Sequence, residues 1–107
     1  MAKILTQTMD IPKNTVRWFV KKDLESVNGQ TMSLSTAFNT YRNQKNCQFK
    51  MTTQELPNGK TRVISTHKYS TQTAVDGHLA LLAPYEAERD AYHLENNIDF
   101  TQTITEE

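Results

Sequence analysis

The stretch Thr31-Met32-Ser33-Leu34-Ser35-Thr36-Ala37-Phe38-Asn39-Thr40-Tyr41 decides the fold of this chain, because it satisfies two periodicities at once. Met32, Leu34 and Phe38 fall on alternate positions, as on one face of a strand. Leu34, Phe38 and Tyr41 also fall at helical spacing. The density of Ser and Thr suits a pleated surface and tilts the reading towards strand. Read so, residues 1–70 form the sheet, and helices follow only after it. Read as a helix, the same stretch gives a ββαββα arrangement suited to a small binding module.

The clearest neighbouring element is a hairpin from Cys47 to Tyr69, closed by Pro57-Asn58-Gly59-Lys60. Asn-Gly is the preferred central pair of a type I′ turn, where both positions need positive φ. With Asn58 and Gly59 as the loop, Glu55 faces Arg62, Thr53 faces Ile64, Met51 faces Thr66 and Phe49 faces Lys68. One face then carries Phe49, Met51 and Ile64 and packs on helices, with Arg62 and Lys68 on the same side. The other carries Gln48, Lys50, Thr52, Gln54, Ser65, His67 and Tyr69, with Val63 as an apolar exception. That second face is free for water or a polar ligand.

Working outward, Ala2–Met9 and Thr15–Val20 read as two further strands around the turn at residues 10–14. Asn28-Gly29 marks the next break. After Ser70-Thr71 the pattern changes. Val75, Leu79 and Leu82 recur at helical spacing, with Ser70, Thr71 and Thr73 available as caps. Pro84 suits the first turn of another helix, and Glu86, Glu88 and Asp90 favour a helix N-terminus. The reading is two helices, 73–83 and 84–96, or one helix kinked at Pro84. Thr101–Glu107 reads as a frayed polar tail. The expected fold is therefore α+β in a single domain, residues 1–107. An antiparallel sheet (an N-terminal hairpin plus a meander, residues 1–70) precedes the helical part, 71–100, and the tail, 101–107.

Composition narrows the function classes. Apolar residues make up 36% of 107 residues, a thin core for a free monomer, so burial at a subunit interface is expected. The lone Cys47 excludes an internal disulfide and a thiolate cluster, and reads as a small buried filler. The N-terminus lacks the apolar run of a signal peptide, and no stretch is long enough to span a membrane, so synthesis in a cytoplasm is expected. There is no Gly-rich phosphate loop, no Cys/His metal spacing and no nucleophile elbow. His67, His78 and His93 have no carboxylate spacing that makes a site. The expectation is a protein that is not an enzyme and takes no cofactor or metal.

Net charge is zero, yet residues 1–70 hold eleven Lys/Arg against four Asp/Glu, and residues 71–107 hold one Arg against eight Asp/Glu. A sheet with such an excess, bearing lysine, amide, hydroxyl and imidazole groups on one face, offers what phosphate contact and base stacking need. Lys45 and Lys50 would contribute to a phosphate-tracking field.

The segment Arg42-Asn43-Gln44-Lys45-Asn46-Cys47-Gln48-Phe49-Lys50-Met51 resembles the basic loop running into an alternating strand of the coat proteins of single-stranded RNA bacteriophages. Lys68-Tyr69-Ser70-Thr71, followed by Leu79-Ala80-Leu81-Leu82-Ala83-Pro84, is similar to that family's last strand and first helix. The resemblance covers roughly residues 30–95. It implies a homodimer with one continuous sheet, assembled into an icosahedral shell in a virion, with genomic RNA on the sheet face. By position it implies RNA contact at Gln48, Lys50, Ser33 and Ser35, with Ser65 and His67 added by the hairpin register and Lys45 by the basic loop. The chain departs from the family in its short length, in lacking the expected RNA-reading pair near Thr61–Val63, and in its acidic end.

Overall fold

The computed structural model describes residues 1–26 and 33–107. The Asn28-Gly29 break and the first two residues of the deciding stretch lie outside the described residues. In chain order the elements are β1 (Lys3–Pro12), α1 (Trp18–Ser26), α2 (Leu34–Gln44), β2 (Gln48–Glu55), β3 (Lys60–Tyr69), α3 (Gln72–Leu82), a 3-10 turn (Ala83–Tyr85), α4 (Glu86–Glu95) and β4 (Asp99–Glu106). The strands form one antiparallel sheet in the order β2-β3-β1-β4. The α+β class and the antiparallel sheet are as expected. The deciding stretch and both ends of the chain are different.

The deciding stretch is a helix. Ser33 caps α2, its hydroxyl oxygen accepting from the Thr36 N–H at 3.1 Å, which uses serine in the role that favours helix starts over strands. Phe38 is buried against Trp18 and Leu82, with Leu34 packed beside them, and Tyr41 packs on Leu5, Tyr69 and Val75. The helical triad therefore meets the core as a unit. Thr15–Val20 is not a strand either: Thr15 N–H closes a turn onto Pro12 O at 3.2 Å and α1 begins at Trp18. A helix lets the adjacent Trp18 and Phe19 both reach one core, and their rings sit edge-on at 5.3 Å. Residues 1–70 thus contain two helices as well as three strands.

The hairpin exists, but its register is one residue off the expected one. Glu55 opposes Thr61, Thr53 opposes Val63, Met51 opposes Ser65 and Phe49 opposes His67. A two-residue Asn58-Gly59 loop would require an N–H from Pro57 opposite Lys60, and proline has none. Instead Leu56 N–H donates to Lys60 O at 2.9 Å, Gly59 N–H to Leu56 O at 3.2 Å, and Gly59 alone takes positive φ, at 85°. The loop is three residues, Pro57-Asn58-Gly59, with glycine where the chain turns back. The slip moves every β3 side chain to the opposite face. Val63, His67 and Tyr69 are buried under the helices, while Arg62, Ile64 and Lys68 lie on the uncovered face.

The expected tail is a strand. β4 pairs with β1 from Asp10↔Asp99 to Lys3↔Glu106, with Phe100, Gln102 and Ile104 towards the helices and threonines on the open side. The acidic end lies beside basic strands: Lys60 pairs with Asp99 at 3.2 Å, Lys68 with Glu107 at 2.6 Å, and Lys3 with Glu106. On the helical side Lys22 meets Glu88 at 3.0 Å. Much of the charge split is thus spent within the fold.

The C-terminal helices follow the sequence closely. Thr71 caps α3, accepting from the Ala74 N–H at 3.1 Å, and Pro84 sits in the 3-10 turn that opens α4. Helices α2 and α4 end alike. Asn46 and Asn97 adopt φ of 52° and 57°, and the next residues, Cys47 and Ile98, donate back to Arg42 O and His93 O, each at 2.9 Å. Each such ending turns the chain into an edge strand. The core is divided into three clusters, centred on Leu5/Tyr69/Val75, Ile11/Val63/Ile98 and Trp18/Phe38/Leu82.

Candidate functional site

A cavity of about 250 Å³ lies between the helices and the sheet. Among the described residues its charged lining is uniform in sign: Arg17, Arg42 and Arg89 contribute, and no Asp or Glu does. His67, His78 and His93 also line it, with Met9, Val63 and Leu82 among its apolar walls.

At the β4 end, Arg89 projects from the buried side of α4 and is 8% exposed. Its Nε and Nη2 donate to Asp90 Oδ1 at 3.2 and 3.1 Å, and its guanidinium lies 4.4 Å over the Phe100 ring. Nη1 is buried without a hydrogen-bond partner. One turn on, His93 stacks on the same ring at 5.0 Å, and its Nδ1 is likewise buried and unpartnered. Burial, reinforced by the Arg89 charge, pushes the His93 pKa down against the pull of Asp90. A buried donor left unsatisfied costs about 1–3 kcal/mol, so Arg89 Nη1 presents a preset site for a hydrogen-bond acceptor.

At the β2 end, Arg42 lies 4.4 Å over Phe49, Phe49 stacks on His67 at 4.9 Å, and His67 on His78 at 4.6 Å. Burial holds both imidazoles neutral, with pKa values lowered to about 3 for His67, aided by His78 and Arg42, and to about 4 for His78, aided by Arg42. Tyr69 OH lies 2.7 Å from His78 Nδ1. Burial pushes the Tyr69 pKa up, so the phenol stays neutral. Gln7 Nε2 donates to Gln102 Oε1 at 3.0 Å, which leaves Gln7 Oε1 to accept from His67 Nε2 at 3.3 Å. His67 Nδ1 therefore carries the lone pair, and it is buried without a partner. β2, whose residues are all exposed, borders the cavity through Phe49 and Met51; Arg17 reaches Met51 Sδ at 3.4 Å.

The residues expected to touch RNA do not form one surface. Gln48 and Lys50 are exposed on the open side of β2, and Lys45 sits at the end of α2 with Nζ 5.8 Å from the Tyr41 ring. Ser33 is a helix cap. Ser35 is hydrogen-bonded to Asp23 through its N–H at 3.1 Å and through its hydroxyl. Ser65 and His67 face the helices and line the cavity, so the register correction removes both from the open face. The open face itself holds threonines, Ile4, Ile64 and the bidentate Arg62–Asp10 pair at 2.8 and 3.0 Å. Among the described residues no cluster of His, Cys, Asp or Glu has the arrangement of a metal site, and no helix is long and apolar enough to cross a membrane.

No family model and no curated protein matches the chain. Two solved structures share its fold. A dimeric ferredoxin-like protein from an uncultured marine organism superposes with a TM-score of 0.59 at 12% identity, over 97% of this chain and 92% of that one. The de novo designed protein Foldit4 gives 0.56 at 15% identity, over 100% of this chain and 99% of that one. The strand order, with helical crossovers from β1 to β2 and from β3 to β4, agrees with that likeness: the chain has a ferredoxin-like fold.

Proposed function

We propose that this chain is a ligand-binding protein whose cavity takes a small organic anion. The carrying observation is Arg89 Nη1, a cationic donor buried without a partner in a cavity lined by three arginines and, among the described residues, no carboxylate. A low-dielectric, apolar-walled site strengthens the pull of such a donor on an anion. Binding is favoured over turnover, because Tyr69–His78 and Gln7–His67 hold the two imidazoles in structural hydrogen bonds. The helix over Leu34–Gln44 supports the binding-module alternative rather than the coat-protein reading. Self-association through the uncovered sheet face belongs to the same proposal: a protein of like fold is described as dimeric, and the open face and the exposed β2 edge have room for a second copy.

Thermal shift and calorimetry with matched carboxylates, phosphate esters and amines test this. Anions are expected to stabilise the protein, by roughly 2.7 kcal/mol at a hundredfold excess over Kd, and amines are not. Equal effects of anions and amines, or none, contradict it.

A second reading, contact of Gln48, Lys45 and Lys50 with a polyanion, is favoured by the two lysines having no carboxylate within ion-pair distance among the described residues. Lys45→Ala and Lys50→Ala should each lower the salt dependence of RNA binding by about one unit of slope. Unchanged slopes contradict that reading.

A further inference from the structure

The cavity has two different polar ends, and this difference constrains the ligand beyond its charge. At the β4 end the unpartnered atoms are Arg89 Nη1 and His93 Nδ1; at the β2 end the unpartnered atom is His67 Nδ1, a lone pair. The first end asks for an anion and the second for a hydrogen-bond donor. The two ends are far apart. His67 opposes Leu5 on β1, and Phe100, under Arg89 and His93, opposes Met9. They are thus two strands apart and four residues apart along the ladder. At ~4.8 Å per strand and ~3.4 Å per residue, their backbones are roughly 17 Å from one another. The walls between are mostly apolar, including Met9, Val63 and Leu82, with Gln7 and Ser65 as polar groups on the sheet floor, and the space is roughly eight waters' worth at ~30 Å³ each.

Resting on the reading of the cavity as an anion site, we propose that its ligand is an elongated, apolar-bodied organic acid with a hydroxyl at the far end, the carboxylate on Arg89 and the hydroxyl donating to His67 Nδ1. Arg42 at the far end is already held by Asn39 and stacked over Phe49, so a second carboxylate there brings its lone pairs against the His67 lone pair, whereas a hydroxyl donates to it. A short aromatic acid satisfies only one end. Both His67 and Arg89 are more than nine-tenths buried, so these atoms have no route to water while the cavity is filled.

Calorimetric titration of the full chain with decanoate, 10-hydroxydecanoate, sebacate and butyrate tests this. The expected order is 10-hydroxydecanoate over decanoate by about tenfold or more, with sebacate weaker than 10-hydroxydecanoate and butyrate weakest. His67→Phe keeps the ring volume and removes the acceptor, so the hydroxydecanoate-to-decanoate ratio should collapse towards one. Should that variant fail to fold, the ratio on the unaltered chain still decides. If decanoate binds as tightly as 10-hydroxydecanoate, or sebacate binds more tightly, the two-ended assignment is overturned while the anion reading stands. If none of the four acids binds, both fall.

Discussion

The hydroxyl of Tyr69, at the end of β3, lies 2.7 Å from Nδ1 of His78 on α3, and both side chains are buried. This bond ties the sheet to the helix layer at the point where the chain passes from one to the other. Tyr69→Phe keeps the ring packed on Leu5 and Val75 but leaves His78 Nδ1 buried without its partner. We expect a loss of about 1–3 kcal/mol in urea unfolding, with the circular dichroism spectrum unchanged. A loss below about 0.5 kcal/mol would show the bond to be dispensable.

Stability should fall in mild acid. His67 and His78 have native pKa values lowered to about 3 and about 4, against an ordinary value of 6.5. Below pH 6.5 the unfolded chain binds protons at these sites and the folded chain does not. Their stabilisation is therefore complete above that pH and is lost progressively as pH falls from about 6.5 to about 4 for His78 and about 3 for His67. Each histidine adds a slope approaching about 1.4 kcal/mol per pH unit in that window. Urea titrations from pH 7 to 4 measure it, and a flat profile would contradict the buried neutral assignment.

At Gly77, α3 packs directly against the Tyr41 side chain of α2. The Tyr41 hydroxyl passes over it to donate to Ala74 O at 2.6 Å, and a Cβ at position 77 would lie 2.9 Å from Tyr41 Cζ. Gly77→Ala should cost about 1–3 kcal/mol through overpacking, despite alanine's better helix propensity. Gly77→Ala combined with Tyr41→Ala should cost less than the sum of the two alone. Strict additivity in denaturant would rule out the contact as the cause.

Arg89 should behave as a residue held for function. Its burial with one donor unsatisfied is unfavourable to the fold, and apolar replacements of buried charges are often neutral or stabilising. Arg89→Met is expected to keep or raise the melting temperature while weakening decanoate binding at least tenfold. A variant that melts much earlier yet binds normally would make Arg89 a structural residue.

Much of the fold was legible where local chemistry was unambiguous. The hairpin strands, the Thr71 cap and the break at Pro84 were all read from residues that act on their own neighbours. The register was missed because Asn58-Gly59 signals a two-residue loop, whereas Pro57, lacking an N–H, forces three. The helix over Leu34–Gln44 was missed because its serines were weighed as strand formers and not as a cap and a tether to Asp23. β4 was hidden in a polar tail whose alternation, Phe100, Gln102 and Ile104, is weak. The repeated ending, an asparagine in the left-handed region at Asn46 and Asn97 before an apolar residue, was a usable signal for helix-to-edge-strand turns. The cavity was not legible, since its walls come from segments distant in the chain. One clue was present: Arg89 is the sole cation of residues 71–107, and it lies on the inward side of its helix.

The most direct test of the central claim is amide chemical-shift mapping during titration with decanoate. The account predicts saturable shifts at Arg89, His93 and Phe100, extending towards His67, with the open face of the sheet unmoved. Shifts confined to Lys45, Gln48 and Lys50, or no saturable shift at all, would contradict it.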